Sequence, residues 1–342
     1  MPPKKPTPKP ILLNEEQRAV VEARAGVHRC MASPGSGKSS VLVQRYISLI
    51  EEGEDPNSIL SLTFTAAAAK NLRDRVESRV GKLSTNRTCG ATTFHALGLA
   101  FAIQERDAFS FKLAEFPLAG EPASLKISGD AARRYEIDPR NLRSSISLFK
   151  RRRIHPAEAL RNAESGGKSS EIKTALAYKD YQKRLKDTET LDFDSLILEM
   201  VDLLDRKPEV RTRHQYKWCQ VDEAQDCCEL EWKLIRLLTS QHGNLCAVGD
   251  ANQNIYSFRG GDATLFVEME KIFPSVNKFY LGRNYRSSPE IVEFIKGIGT
   301  SQELCEKFYT CNPSGPIPVV RGFSSPLDEA NFVVGEIKKA HA

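Results

Sequence analysis

Residues 32–39, Ala-Ser-Pro-Gly-Ser-Gly-Lys-Ser, combine the residue types that hold a polyphosphate. Glycines at 35 and 37 let backbone N–H groups wrap phosphate oxygens, Lys38 carries a cation that reaches the outer phosphates, and the Ser39 hydroxyl suits Mg²⁺. Ala32 stands where the general pattern has its first glycine, so the bare motif departs at one position. An ordinary Gly/Ser turn is the competing reading. A second stretch, Val221-Asp222-Glu223-Ala224-Gln225-Asp226, sets two carboxylates side by side. Asp222 is expected to hold the Mg²⁺ shell and Glu223 to take a proton from an attacking water, because phosphoryl transfer needs charge neutralisation and a positioned nucleophile. On its own the acidic stretch reads as a helix cap; joined to the phosphate loop it reads as the other half of one site.

Such a site needs strands that deliver both motifs and a helix that begins at the loop, with the positive end of its dipole toward the phosphates. The apolar-leaning run 27–32 leads into the loop, and Val41, Leu42, Tyr46, Leu49 and Ile50 mark the helix after it. Asn14 is an N-cap for an earlier helix, with Glu15 and Glu16 at its positive start and Ala19, Val20 and Ala23 on its apolar face. Strands are predicted at 59–64, 218–221, 245–248 and 278–281, and further helices from Ala66, from Ser288 and over 327–339. Strand and helix alternate, which implies an α/β fold with a parallel sheet covered by helices.

Between residues 115 and 190 the pattern changes to polar, basic, helix-prone sequence broken by Pro117, Pro122, Pro139, Pro156 and Gly166-Gly167, as expected of an inserted domain. There are 16 Lys/Arg against 11 Asp/Glu over 115–189, so the net charge of +5 sits in this segment. Lys150, Arg151, Arg152 and Arg153 run consecutively, which suits a surface that meets phosphates or, equally, a solvated helix face. Residues 1–10 hold five prolines and three lysines and are expected to be a disordered basic tail. They lack the apolar core of a secretory signal, and no stretch approaches the roughly 20 apolar residues that span a bilayer. The expectation is an intracellular chain without a membrane partner. The eight cysteines form no C-x-x-C pair and are read as reduced, mostly buried thiols. At 342 residues the length suits two domains and part of a third.

Taken in order, the motifs resemble the UvrD/Rep family of superfamily 1 helicases from Leu13 to about Ser287. Residues 13–17, Leu-Asn-Glu-Glu-Gln, are similar to the family's adenine-reading Q motif. The phosphate loop follows, then Leu62-Thr63-Phe64-Thr65 with an Ala-rich helix, Thr93-Phe94-His95, and Leu191-Asp192-Phe193-Asp194. The acidic box comes next, followed by Val248-Gly249-Asp250 through Gln253, Tyr256, Phe258-Arg259 and Gly260-Gly261, and finally Asn284-Tyr285-Arg286-Ser287.

The resemblance implies a RecA-like P-loop domain made of 11–114 and 191–281, an inserted basic helical domain at 115–190, and the start of a second RecA-like domain at 282–342. It implies that ATP and Mg²⁺ are the cofactors, bound by Pro34, Gly35, Ser36, Gly37, Lys38, Ser39 and Ser40, with Ser39 and Asp222 on the metal. Gln17 is expected to hydrogen-bond adenine and Tyr285 to stack near it, although Asn14 and Gln17 also fit a local capping box. Gln253 is expected to sense the terminal phosphate and Arg286 to act as an arginine finger. Phe64, Thr93, His95, Tyr256, Phe258 and Arg259, together with Arg151, Arg152 and Arg153, are the expected contacts to single-stranded DNA and its duplex junction. Tyr256 and Phe258 also suit that task physically, since stacking on aromatic rings tolerates any base sequence. Phe64 fits a buried strand residue nearly as well, and His95 a structural hydrogen-bonder. Departures are Ser40 in place of a frequent Arg that packs on adenine, Phe258 for a frequent Trp, and Ala66 and Ala67 for the usual Asn-Lys. Family members continue past the Arg286 motif to a late motif with a second phosphate-contacting arginine. The implied activity is 3′ to 5′ translocation or unwinding driven by MgATP, the remaining helicase or a partner chain completing the cleft. A split, non-cycling module that binds ATP or DNA is the alternative.

Overall fold

Four apolar runs, VHRCMA, ILSLT, WCQV and LCAVG, are buried along their entire length, as strands of a parallel sheet covered on both faces must be. They are β1 (Val27–Ala32), β2 (Ile59–Thr63), β4 (Trp218–Val221) and β5 (Leu245–Gly249); β3 (Thr92–Thr93) and β6 (Val276–Leu281) complete the sheet. The computed structural model describes residues 12–83, 90–109, 118, 121–254, 260–298 and 302–341. The basic tail 1–10, Cys89 and the aromatic pair Tyr256 and Phe258 with Arg259 lie outside them. All pairings are parallel and the order is β3-β2-β4-β5-β1-β6, with Val27 level with Leu245 on one side and Val276 on the other.

Side chains alternate across each strand, so Leu60 and Leu62 serve one core while Ile59 serves the other. Helices α1 (Glu15–Glu22), α2 (Lys38–Glu51) and α3 (Ala66–Val80) cover one face through Val20, Val41, Tyr46, Leu49 and Leu72. Helix α4 (Phe94–Gln104) and later elements cover the other through Phe94, Phe101, Val201, Leu204, Trp232 and Ile235. The next four helices, α5 (Glu121–Tyr135), α6 (Pro139–Arg151), α7 (Pro156–Gly166) and α8 (Ser169–Asp187), bury a core of their own around Leu142, Ile146, Tyr178 and Leu185.

A polar seam joins that unit to α9 (Phe193–Arg206). Lys150 is fully buried, with Nζ 2.5 Å from Asp192 Oδ2 and 2.8 Å from Ser195 Oγ. Tyr181 OH donates to the same Asp192 oxygen at 2.6 Å. Burial alone would raise the Asp192 carboxyl, but Lys150, Tyr181 and the Ser195 N–H hold it below its ordinary value. Arg151 pairs with Asp194 at 3.1 Å, and Arg153 with Asp205 at 3.3 Å and Asp202 at 3.7 Å. The run 150–153 is therefore neither an open phosphate-binding surface nor a solvated face. Three of its four cations are engaged in ion pairs with this seam, and Arg152 alone is exposed. The cause is helical phase: Leu142, Ile146 and Lys150 fall on one buried stripe of α6.

Past the seam come α10 (Pro208–Arg213), α11 (Glu229–Leu238) and α12 (Ala263–Val267). Beyond β6 the chain forms a separate two-stranded pair, β7 (Arg283–Asn284) with β8 (Tyr309–Thr310), and the helices α13 (Pro289–Ile298), α14 (Gln302–Lys307) and α15 (Pro326–His341). Helix α15 has no buried residue. Among the described residues no helix is long and apolar enough to cross a membrane. Seven cysteines are described, all free, and Cys30, Cys219, Cys227, Cys228 and Cys246 are buried.

Truncating Lys150 leaves Asp192 charged and buried without its partner, so Lys150→Ala is expected to destabilise the protein by about 3–5 kcal/mol in urea titrations. The exposed neighbour provides the control: Arg152→Ala should stay within about 0.5 kcal/mol of the parent. Equal effects of the two would contradict the seam.

Candidate nucleotide-binding and hydrolysis site

At the end of β1 the chain turns through residues 33–37 into α2. Ser33 anchors the turn, its N–H and hydroxyl donating to the Leu281 carbonyl at 3.0 and 2.8 Å. Gly35 and Gly37 adopt φ of 68° and 87°, the left-handed region that favours glycine. Gly35 is needed twice over, since a Cβ there would lie 2.9 Å from Arg286 Cβ and 3.0 Å from Asn284 Nδ2. That closeness comes from a clamp. Asn284 Nδ2 donates to the Pro34 carbonyl at 2.7 Å, its Oδ1 accepts from the N–H groups of Arg286 and Ser287 at 2.7 and 2.6 Å, and the Tyr285 N–H donates to the Gly35 carbonyl at 3.0 Å. On the other flank the predicted capping box forms between Asn14 and Gln17, and the buried Gln17 also donates from Nε2 to the Ser36 carbonyl at 2.9 Å.

The carboxylates gather at the ends of β4 and β5. Ser39 Oγ donates to Asp222 Oδ2 at 3.0 Å. Burial first, and then the neighbouring Glu223 charge, push the Asp222 carboxyl up to about 6. Asp226 is pushed up to about 6 by burial, with Glu223 and Glu231 adding to it. Asp250 is fully buried and also raised by burial, even though it accepts from Gln253 Nε2 at 2.8 Å and from the Asn252 N–H at 3.0 Å. Gln225 ties the two strand ends together, donating to Glu223 Oε2 at 3.1 Å and accepting from the Asp250 N–H at 3.0 Å. Against these acids stands Lys38, with Nζ 3.8 Å from Glu223 Oε2. Glu223 itself sits at φ 53°, ψ 44°, a left-handed conformation that costs a residue with a Cβ about 1–2 kcal/mol. The strain places a half-exposed carboxylate beside Lys38, at the opening of the cavity.

That cavity, about 250 Å³, is lined by the loop from Gly35 to Ser40 together with Glu223, Gln253 and Arg286. All of it lies at the carboxyl ends of β1, β4, β5 and β6, where open α/β sheets receive ligands. The UvrD/REP helicase N-terminal domain, as a family, matches residues 13–274. The chain belongs to the UvrD/REP helicase family. It is 32% identical over 339 residues to the ATP-dependent DNA helicase PcrA of Staphylococcus aureus and to that of Staphylococcus epidermidis. Each alignment covers 96% of this chain and 45% of the relative, so the chain spans about half the length of the curated relatives it matches.

In this UvrD/REP domain Ser39 and Asp222 offer hard oxygen donors that fit Mg²⁺, an ion that takes one or two protein oxygens and completes its shell with water and substrate phosphates. No group of three or more His, Cys, Asp or Glu among the described residues forms a metal cage by itself. Tyr285 is exposed, with the Arg283 guanidinium 4.9 Å from its ring centroid. Phe64 is partly buried and packs on Phe94 with ring centroids 5.3 Å apart. Thr93 caps α4 by accepting from the Ala96 N–H at 3.1 Å, and His95 meets the half-exposed Phe193 edge-on at 5.4 Å. Asn284 and Gln225 were quoted within motifs without a task, and the bonds that give them one here, Asn284 to Pro34 and the Asp250 N–H to Gln225, span 250 and 25 positions, so no local signal announces them.

The folded-state value of Asp222, about 6, lies above its ordinary 3.8, so its ionised form opposes folding at neutral pH and that cost fades as pH falls through 6. Asp222→Asn is therefore expected to stabilise the ligand-free protein by about 1–3 kcal/mol at pH 7.5 and by about half as much at pH 5. Thermal denaturation of both proteins across that range checks it; a variant less stable at pH 7.5 would refute the buried-charge account.

Proposed function

We propose that this chain is the nucleotide-binding half of an ATP-dependent DNA helicase or translocase, coupling MgATP hydrolysis to movement along single-stranded DNA. The observation that carries the reading is the shared cavity of Lys38, Ser39, Glu223, Gln253 and Arg286. Backbone N–H groups of residues 34–39 cradle the phosphates, and Lys38 neutralises the outer ones. Ser39 and Asp222 would hold Mg²⁺, which would supply charge neutralisation for phosphoryl transfer. Glu223 accepts the proton of the attacking water, Gln253 reports the terminal phosphate to the DNA side, and Arg286 stabilises charge on the transferred group. Gln17 and Tyr285 serve the adenine. Phe64, Thr93 and His95 and the exposed Arg152 serve as contacts to the strand, the same role goes by family likeness to Tyr256, Phe258 and Arg259, and by that likeness movement runs 3′ to 5′.

The DNA-helicase activity in the names of the relatives supports this reading, and their greater length bears on turnover. Arg286 is held by the clamp, the two-residue strands β7 and β8 and the Thr310 and Asn312 side chains on the Ser287 carbonyl, while α15 buries no residue and its Phe332 meets Phe323 at 5.3 Å. Closure on the phosphate needs a rigid second wall, and an arginine finger is worth about 10³–10⁵ in rate. Residues 1–342 alone are expected to bind MgATP, to hydrolyse it slowly and not to unwind a tailed duplex. Lys38→Ala should weaken binding of a fluorescent ATP analogue, whereas Glu223→Gln should leave binding within about twofold and abolish single-strand-stimulated hydrolysis. A Glu223→Gln protein that hydrolyses ATP like the parent would remove Glu223 from its role.

A further inference from the structure

Arg151 is the last residue of α6, and its side chain, only 15% exposed, leaves the helical unit to meet three places in the sheet domain. Its Nη2 lies 3.1 Å from Asp194 Oδ1 at the start of α9. Next to Asp194 in the chain is Phe193, whose ring meets His95. The second place is Glu231, in the first turn of α11, which is buried and accepts from the Cys228 N–H at 2.7 Å. Burial raises the Glu231 carboxyl, and the Arg151 charge is the strongest influence opposing that rise. The third is Gly260, at φ 85°, where a Cβ would lie 3.4 Å from Arg151 Cδ and 3.7 Å from Arg151 Cβ. Asp262, two residues on, donates its N–H to the Cys227 carbonyl at 3.3 Å, and Asn254 Nδ2 donates to the Gln225 carbonyl at 2.8 Å. The end of the acidic box thus holds Asn254 and Asp262, and Arg151 ties the same group of segments to the helical unit. Its guanidinium is spent on protein partners, Asp194 at Nη2 and the Ser147 hydroxyl at Nε, 3.3 Å away. A cation so engaged acts on a bound strand through the residues it holds.

We propose that Arg151 is a positioning residue for the single-strand face, holding the start of α9, beside Phe193 and His95, in place against Gly260 and the segment that follows the acidic box. The inference rests on the DNA-binding reading above. Fluorescence anisotropy of a labelled oligothymidylate, titrated with residues 1–342 at several salt concentrations, tests it in the parent, Arg151→Ala and Arg151→Lys, with binding of a fluorescent ATP analogue measured beside it. Each phosphate contact adds about 0.7 to the slope of log affinity against log salt for a single strand, so loss of a contact and loss of a support are separable. Arg151→Ala is expected to weaken strand binding by about 3- to 30-fold with the slope unchanged and ATP-analogue binding within about twofold. Arg151→Lys, which keeps the charge without the planar fork, should lie between the parent and Ala. A slope lower by about 0.7 in Arg151→Ala would make Arg151 a direct phosphate contact and overturn the proposal. An equal loss of ATP-analogue affinity would mark damage to the whole fold and overturn it as well. Unchanged strand affinity would reduce Arg151 to a bond of the seam and overturn it too, with the DNA-binding reading left standing. Should Arg151→Ala not fold, the same readings on Arg151→Lys decide the matter. Failure of the parent to bind the strand would overturn the DNA-binding reading and this inference together.

Discussion

Surplus negative charge at the ends of β4 and β5 is the constraint on which the site depends. Asp222, Asp226 and Asp250 are buried there with Glu223 at the opening, and Lys38 is the cation set among them. Burying ionised carboxylates without partners is costly, and the raised values of Asp222, Asp226 and Asp250 record that cost. Hydrogen bonds from Ser39, Gln225, Gln253 and Asn252 hold the arrangement without neutralising it. On the proposed reading, a divalent cation held by Ser39 and Asp222 would supply positive charge beside these carboxylates, so stability given up by the empty fold would become affinity for the ligand that brings the ion.

The sheet makes this imbalance tolerable by fixing its geometry from both sides. Strands β1, β2, β4 and β5 are buried on both faces, and their carboxyl ends form a rigid floor under the loop. The roof is a single asparagine. Asn284 holds the loop carbonyl of Pro34 with one amide atom and the backbone of Arg286 with the other, so the loop and the arginine above it are positioned as one unit. Glycine at position 35 is the steric condition for that approach. Far from the site, Lys150 and Asp192 do for the helical unit what Asn284 does for the loop, sitting at the centre of the polar seam that joins it to the sheet domain.

Much of this was legible in the sequence because it is local. The loop, the acidic box, the Asn14 cap and the alternation of strands and helices each fit in a short window, and the fold class follows from them. Two kinds of information were missed, and only the first was non-local. Asn284 to Pro34 and the Asp250 N–H to Gln225 join residues distant in sequence, and nothing in either window requires the other. The basic run 150–153 misled for a different reason: its composition suggests an exposed surface, whereas the four-residue spacing of Leu142, Ile146 and Lys150 shows which face of α6 turns inward. Reading phase before charge recovers the buried lysine. Gln17 belongs to neither case, because the cap and the loop contact coexist in one side chain.

The central claim is that ligand-free charge and ligand affinity are two sides of one arrangement, and synergy between metal and nucleotide tests it most directly. Thermal denaturation of residues 1–342 at pH 7.5 would be recorded with Mg²⁺ alone, with a non-hydrolysable ATP analogue alone, and with both. The account predicts small shifts for either alone and a larger one for the pair, about 2.7 kcal/mol of added stability when the complex is present at 100 times its Kd. It also predicts that Lys38→Ala loses most of that shift. Additive shifts, or an undiminished shift in Lys38→Ala, would contradict it.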